Sequence, residues 1–344
     1  MNKNISYAGK QVFIGIDVHK SKYAVAVLSG GVSVHKNTMA ASPWQLISFI
    51  RKRFAGAAVY TVYEAGFSGF ELHRALEEAE IRNIVINPAS VEISANDKVK
   101  TDKLDALKLA TKLSKGDLKG IRIPSREEEN KRLLSRTREQ LVDSNKRYFI
   151  QVKMRLHVLG LYPENARRLT MKTIKSIISR SEISHEVKMT LGSLISMYEY
   201  TAQEISKLEK ALRQQAKEDK NEKLYRSVPG VGFISARVLS NELGDLSQFS
   251  SAKKLSRFVG LTPSEHSSGD KVCRGRISRQ GSARLRSILN QISWVAIKYD
   301  ANLMSFYTKL KIRCGGKKAI VAVSRKLLCR MLHMFKFQEE YRFA

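Results

Sequence analysis

The chain has 344 residues, enough for two domains or for one large domain with an insertion. Hydrophobic residues make up 43% and charged residues 27%, which excludes a disordered chain and an integral membrane protein. The net charge of +29 is uneven: +6 over residues 1–120, +8 over 121–220 and +15 over 221–344, where 23 Lys and Arg face 8 Asp and Glu. A field of that sign selects a polyanionic partner, either nucleic acid or an anionic membrane surface. Insertion into a bilayer is excluded because the N-terminal apolar run, residues 12–16, is ended by Asp17 far short of a span. The same run is too short and wrongly flanked for a secretory signal. Cys273, Cys314 and Cys329 form no Cys-x-x-Cys pair and have no His at zinc-ligand spacing, so free thiols in a reducing cytoplasm are expected.

In chain order, residues 12–16 and 23–28 read as strands separated by a polar turn, 44–54 as a helix, and 58–63 as a strand. A helix over 70–79 and a strand over 83–87 follow, and Thr101 caps a helix from Asp102 to about Leu113. This alternation predicts an α/β domain over residues 1–120. Leu134, Leu141, Tyr148, Val152, Leu156 and Leu159 form an apolar stripe interrupted by Arg138 and Asn145. Leu191, Ile195, Tyr198, Ala202, Ile205, Leu208 and Leu212 form a second. Residues 121–222 are therefore expected to be two long helices joined near 160–165, as a helical hairpin or an intersubunit coiled coil. Residues 223–344 read as a basic, mainly α domain of short helices and Gly turns.

Asp17 directly follows an apolar strand, where a carboxylate costs free energy unless it is paired or binds metal. Glu64 closes a second strand, and two acids at strand ends of one sheet can meet at one edge. Asp102 and Asp105, three apart, share a helix face, with Cβ atoms about 5–6 Å apart. Four converging carboxylates repel one another unless divalent cations neutralise them. Mg²⁺, a hard ion that keeps positions open for phosphate oxygens, suits such a set, as a pair of ions working on a phosphodiester. Taken singly, each acid also fits a structural role: Asp102 and Asp105 meet the positive end of a helix, and Glu64 fits a loop.

The runs Ile-Gly-Ile-Asp-Val-His-Lys at 14–20, Glu-Ala-Gly-Phe-Ser-Gly at 64–69 and Lys-Thr-Asp-Lys-Leu-Asp-Ala at 100–106 resemble the DEDD-type insertion-sequence transposases. The resemblance implies a RuvC-like (ribonuclease H-like) fold, an RNA-guided recombinase activity, and Asp17, Glu64, Asp102 and Asp105 as the metal-binding tetrad. His19, beside Asp17, reads as a turn residue.

In the basic third, Ser-Val-Pro-Gly-Val-Gly-Phe-Ile-Ser-Ala at 227–236 matches a helix-hairpin-helix pattern. There the backbone at Gly230 and Gly232 and the following helix start can approach a phosphate without reading sequence. Further on, a Ser-Ser-Gly run at 267–269 is expected in a loop near Lys271, Arg274, Arg276 and Arg279, which are candidate phosphate clamps. By residue type alone that serine is most often a loop solubiliser. Gly-Leu-Thr-Pro at 260–263 followed by Ser268 and Gly269 extends the resemblance. It implies that Ser268 is a nucleophile forming a covalent phosphoserine link to DNA, assembled with the acidic tetrad of another subunit. His266 has no orienting acid and reads as a surface or nucleic-acid histidine. The likeness runs on to the basic helix at 316–327 with Lys317 and Lys318.

The expectation is thus a transposase that cuts, exchanges and rejoins DNA strands with Mg²⁺, or Mn²⁺ in its place, as a homodimer or tetramer working with a guide RNA and with no membrane partner. Two rivals use the same residues: a junction-resolving nuclease that activates water, and a non-catalytic nucleic-acid scaffold.

Overall fold

A computed structural model describes residues 6–90, 101–163, 168–180, 182–268 and 271–343, with side chains except at 90, 265–268 and 271–274. The chain divides into two compact units, Met1–Pro124 and Ser125–Ala344.

The first unit is a mixed α/β domain. Its elements are β1 (Gln11–Val18), β2 (Lys22–Ser29), β3 (Val32–Ala40), α1 (Pro43–Arg53), β4 (Ala58–Glu64), α2 (Glu71–Glu78), β5 (Arg82–Ile86) and α3 (Asp102–Ser114). The sheet order is β3-β2-β1-β4-β5, with β1 antiparallel to β2, β2 antiparallel to β3, and β1, β4 and β5 mutually parallel. Alternation along the strands decides which helix covers which face. Val12, Ile14 and Ile16 of β1 and Tyr23, Val25 and Val27 of β2 join Leu46, Ile47 and Ile50 of α1 and Leu72 and Leu76 of α2 in one core.

The opposite face is built from small residues. Gly15 pairs with Ala26 on β2 and with Val62 on β4, and Asp17 pairs with Ala24. Onto that flat strip α3 sets down its buried Ala106, Leu109 and Ala110. A Cβ at Gly15 would stand 2.0 Å from the carbonyl oxygen of Ala106 and 2.6 Å from the nitrogen of Ala110. Only glycine lets the helix lie this close. As the sequence predicts, Thr101 caps α3, accepting from the Leu104 N–H. β3 is absent from the expected elements; it is an edge strand, half exposed along its length, so no buried apolar run announces it.

The second unit is mainly helical: α4 (Arg126–Val158), α5 (Met171–Ile178), α6 (His185–Lys217), α7 (Glu222–Ser227), α8 (Phe233–Leu243), α9 (Ala252–Val259), α10 (Ala283–Tyr299), α11 (Ala301–Cys314) and α12 (Gly316–Phe337). The two expected long helices, α4 and α6, pack along each other within the chain, and the short α5, which no periodicity marks, adds Ile174 and Ile177 to the core at their far end. The polar interruptions of the first stripe are partnered across the seam. Arg138 donates to Glu209 at 2.6 and 3.0 Å, and the Asn145 side chain donates to the Tyr198 carbonyl at 2.6 Å and Thr201 Oγ1 at 2.8 Å. Near its start α4 is held to α8 by Arg136, which grips the buried Glu242 with two hydrogen bonds of 2.7 and 2.8 Å.

The remaining helices share one core, in which α12 buries Ile320, Val323, Leu327, Leu328 and Met331. Asp300, fully buried, caps α11 through the Leu303 N–H and accepts from Arg330 at 2.5 Å and the Tyr341 hydroxyl at 2.6 Å. The expectation that the Ser-Ser-Gly run lies in a loop needs one correction. β6 (Pro263–Ser268) and β7 (Lys271–Ile277) form an antiparallel pair, so Ser267 and Ser268 end a strand rather than lying in a loop. Backbone pairing overrides residues of low strand propensity there.

Candidate active site

The carboxyl end of β1 delivers Asp17 on the α3 face, because it lies two residues beyond Gly15 in a strand of period two. Glu64 closes β4 one register step past the last β1–β4 pair, Ile16 with Tyr63, and therefore stands beside Asp17 on the same face. The docking of α3 on Gly15 brings its first turn, with Asp102 and Asp105, to that edge.

The side chains then meet. His19 Nε2 lies 3.2 Å from Asp17 Oδ2 and 3.3 Å from Asp102 Oδ2. Lys22, the first residue of β2, sets its Nζ 2.8 Å from Asp102 Oδ2. Asp105 has Lys108 one turn on at 3.9 Å. Burial raises the Asp17 carboxyl above its ordinary value; the charges of Asp102 and Asp105 push the same way, while His19 pulls it down. Asp105 is thus within electrostatic reach of Asp17. Asp102 moves in the opposite direction, held low first by the hydrogen bond from Lys22.

One donor atom from each of Asp17, His19 and Asp102 lies within 4.8 Å of the others. Two carboxylates and an imidazole, all partly exposed, are a donor set that fits a divalent cation with positions left for phosphate oxygens. His19 and Lys22 are the members of this cluster that the sequence does not disclose. His19 does occupy a turn, its N–H donating to the Lys22 carbonyl at 2.9 Å, but its ring also bridges two acids. The available signal was the glycine inside an apolar strand, which marks a close approach and so points to whatever packs there.

The other candidates lie in the second unit. Gly230, with φ +84°, turns the chain between α7 and α8, and Gly232 starts α8 with no side-chain cap. Ser268 ends β6 and pairs with Lys271 at the start of β7, where Arg274 also lies. Gly269 is outside the described residues. Arg276 and Arg279 are exposed, as are Lys317 and Lys318 in the first turn of α12. Cys314 and Cys329 are free thiols. No helix among the described residues is long and apolar enough to cross a membrane.

The chain is similar to known transposases. A DEDD transposase model of the IS110 group matches residues 14–162, which contain all four acids, and a second model, described as the transposase IS116/IS110/IS902 family, matches residues 222–308. The transposase for insertion sequence element IS1111A of Coxiella burnetii is 26% identical, over 71% of this chain and 68% of its own. The transposase for insertion sequence element IS1533 of Leptospira borgpetersenii is 25% identical over 95% of this chain and 96% of its own, so the likeness runs nearly end to end. With acids meeting at one sheet edge and both models matched in order along the sequence, the chain belongs to the IS110/IS116 family of DEDD transposases.

Proposed function

We propose that the chain is a DNA transposase that cuts, exchanges and rejoins strands through a seryl phosphodiester, with specificity supplied by a guide RNA. Residues 1–120 carry the acidic site on a RuvC-like fold, 121–222 form a helical arm, and 223–344 hold DNA. The observation that carries this is the meeting of Asp17 and Asp102, from a strand and a helix 85 residues apart, with Glu64 on the neighbouring strand. The sheet, three antiparallel strands followed by two parallel ones, supports the ribonuclease H-like assignment. The relatives' names as insertion-sequence transposases support the activity.

Asp17, Glu64, Asp102 and Asp105 would hold divalent cations, Mg²⁺ by the hardness of the oxygen donors, and the bound ions supply Lewis-acid polarisation of the scissile phosphate. Ser268 attacks phosphorus: the serine O–P bond forms, the bond from phosphorus to the departing DNA oxygen breaks, and the serine proton ends on the released hydroxyl. Reversal by the hydroxyl of another strand rejoins DNA with the phosphodiester energy conserved. Gly230, Gly232, Lys271, Arg274, Arg276, Arg279, Lys317 and Lys318 hold backbone phosphates, since they combine accessible N–H groups with cations. The protein works as a homo-oligomer.

The test is incubation of the full chain and its RNA with element-end DNA and Mg²⁺, followed by denaturation. A protein–DNA adduct that is lost in Ser268→Ala, while Ser267→Ala keeps it, is the expected result. Cut strands free of protein would establish hydrolysis by water instead, and intact DNA a scaffold. Asp17→Asn and Asp102→Asn should each abolish cutting with binding retained.

A further inference from the structure

The turn between α7 and α8 walls a cavity of about 480 Å³, of which the proposed function uses only Gly230 and Gly232, as phosphate contacts. Its size falls within the range of small-ligand pockets, roughly 300–1,000 Å³. Val228 and Val295 give it an apolar wall, and Arg226, Tyr299 and Phe343 stand at its rim. Tyr299 is 68% exposed and Phe343 62%, so two large rings border the cavity without serving the core. The turn is seated firmly: a Cβ at Gly230 would come within 2.7 Å of Val295, so the floor is fixed against α10. Beside the rim, Gly232 opens α8 without a side-chain cap, and the space where its Cβ would stand is empty to 4 Å.

These features divide into two chemistries a few residues apart. Aromatic rings and valines offer an apolar surface to a planar group, while a guanidinium and an uncapped helix start offer positive potential to an anion. An unpaired nucleotide has both parts, a base with exposed faces and a phosphate. A base inside a duplex has its faces stacked and its edge paired, so it cannot use the rings. The +15 field of residues 221–344 further favours a polyanion at this cavity over the like-charged residues 221–344 of a second copy.

We propose that this cavity binds one unpaired nucleotide of a single-stranded segment, its base against Tyr299 and Phe343 and its phosphate toward Arg226 and the start of α8. The proposal rests on the reading of the chain as a nucleic-acid enzyme and adds to it a site selective for strands that are open. A strand-exchange enzyme must meet such segments whenever a duplex is unwound, and a site of this kind holds them open.

The experiment measures the full chain, in EDTA, binding fluorescein-labelled oligothymidine and a labelled hairpin duplex of equal length, with 2-aminopurine oligonucleotide as a stacking probe. Tyr299→Ala with Phe343→Ala should weaken single-strand binding about 5- to 150-fold, the effect of losing one stacked base, and leave duplex binding within about twofold. Quenching of 2-aminopurine by the wild type should be lost in the double variant and kept in Tyr299→Trp, which separates stacking from any general disturbance of the fold. Equal losses for both nucleic acids, no loss for either, or a change in sedimentation mass showing a second copy on the cavity would each overturn the proposal. Duplex binding with no single-strand binding by the wild type defeats the cavity alone; binding of neither defeats the transposase reading as well.

Discussion

Asp300 concentrates more structural duty than any other buried acid described above. It caps α11, receives Arg330, and binds the Tyr341 hydroxyl. Asp300→Ala strips the cap and leaves Arg330 facing a buried gap, so a loss of about 3 kcal/mol is expected in urea unfolding. Burial raises the Asp300 carboxyl, but the hydrogen bonds from Tyr341, the Leu303 N–H and Arg330 outweigh it and hold the group below its ordinary value. A depressed acid stabilises the fold above its unfolded value and loses that contribution as pH falls through its folded one, so stability should drop below about pH 4. Tyr341 shifts the other way, pushed up to about 12 by burial first and by Asp300. Its contribution is full below about pH 10 and is lost progressively as pH rises to about 12. Asp300→Asn should flatten the acid limb, measured by Tm against pH. Gly15 sets the other residue-scale test. Gly15→Ala forces a methyl into the Ala106 carbonyl, and overpacking costs about 1–3 kcal/mol. Strand cutting should disappear with it, although no titratable group has changed. At this scale the sequence singles out Asp17 and Glu64, because acids that close strands go against local preference, whereas Asp102 and Asp105 suit a helix start and are marked by the family resemblance alone. His19 and Lys22 follow every local rule, and their role exists only across the distance closed by α3.

Elements were legible where burial is strong. The apolar, β-rich runs of β1, β2 and β4 and the capped α3 stand in the sequence within a few residues of their observed ends. β3 is half exposed, and β6 and β7 are polar, so no hydrophobic pattern separates them from loop. The long helices were visible, but Arg138 and Asn145 read as flaws in a stripe until Glu209, Tyr198 and Thr201 are seen opposite. Polar pairs inside an apolar seam fix its register more than its strength. Asn145→Ala should therefore cost only about 1–2 kcal/mol in chemical denaturation, the loss of two hydrogen bonds at a half-buried position. Val152→Ala, deleting wholly buried methyls nearer the hairpin end, should cost as much or more, about 1–3 kcal/mol.

At the scale of the molecule, charge was the most legible property and the least specific. A net +29 fixes the sign of the partner and nothing about its sequence. Affinity for duplex DNA should fall linearly with salt on logarithmic axes, with a slope near −0.9 per phosphate neutralised. Replacing Lys317 and Lys318 by Ala together should reduce that slope by roughly 2, read by anisotropy titration over about 50–200 mM salt. The glycine seat under α3 also bears on the time at which the protein becomes competent. Asp17 is synthesised 85 residues ahead of Asp102, and α3 has no surface to dock on until β1, β2 and β4 are already side by side. Closing that loop is a late, long-range step, since non-local contacts form only after the entropy of the intervening chain is spent. A nascent chain halted after β5 thus carries every strand of the sheet but half of its acids, and the acidic centre assembles only once the ribosome has delivered α3, so an unfinished transposase emerges harmless to the DNA around it.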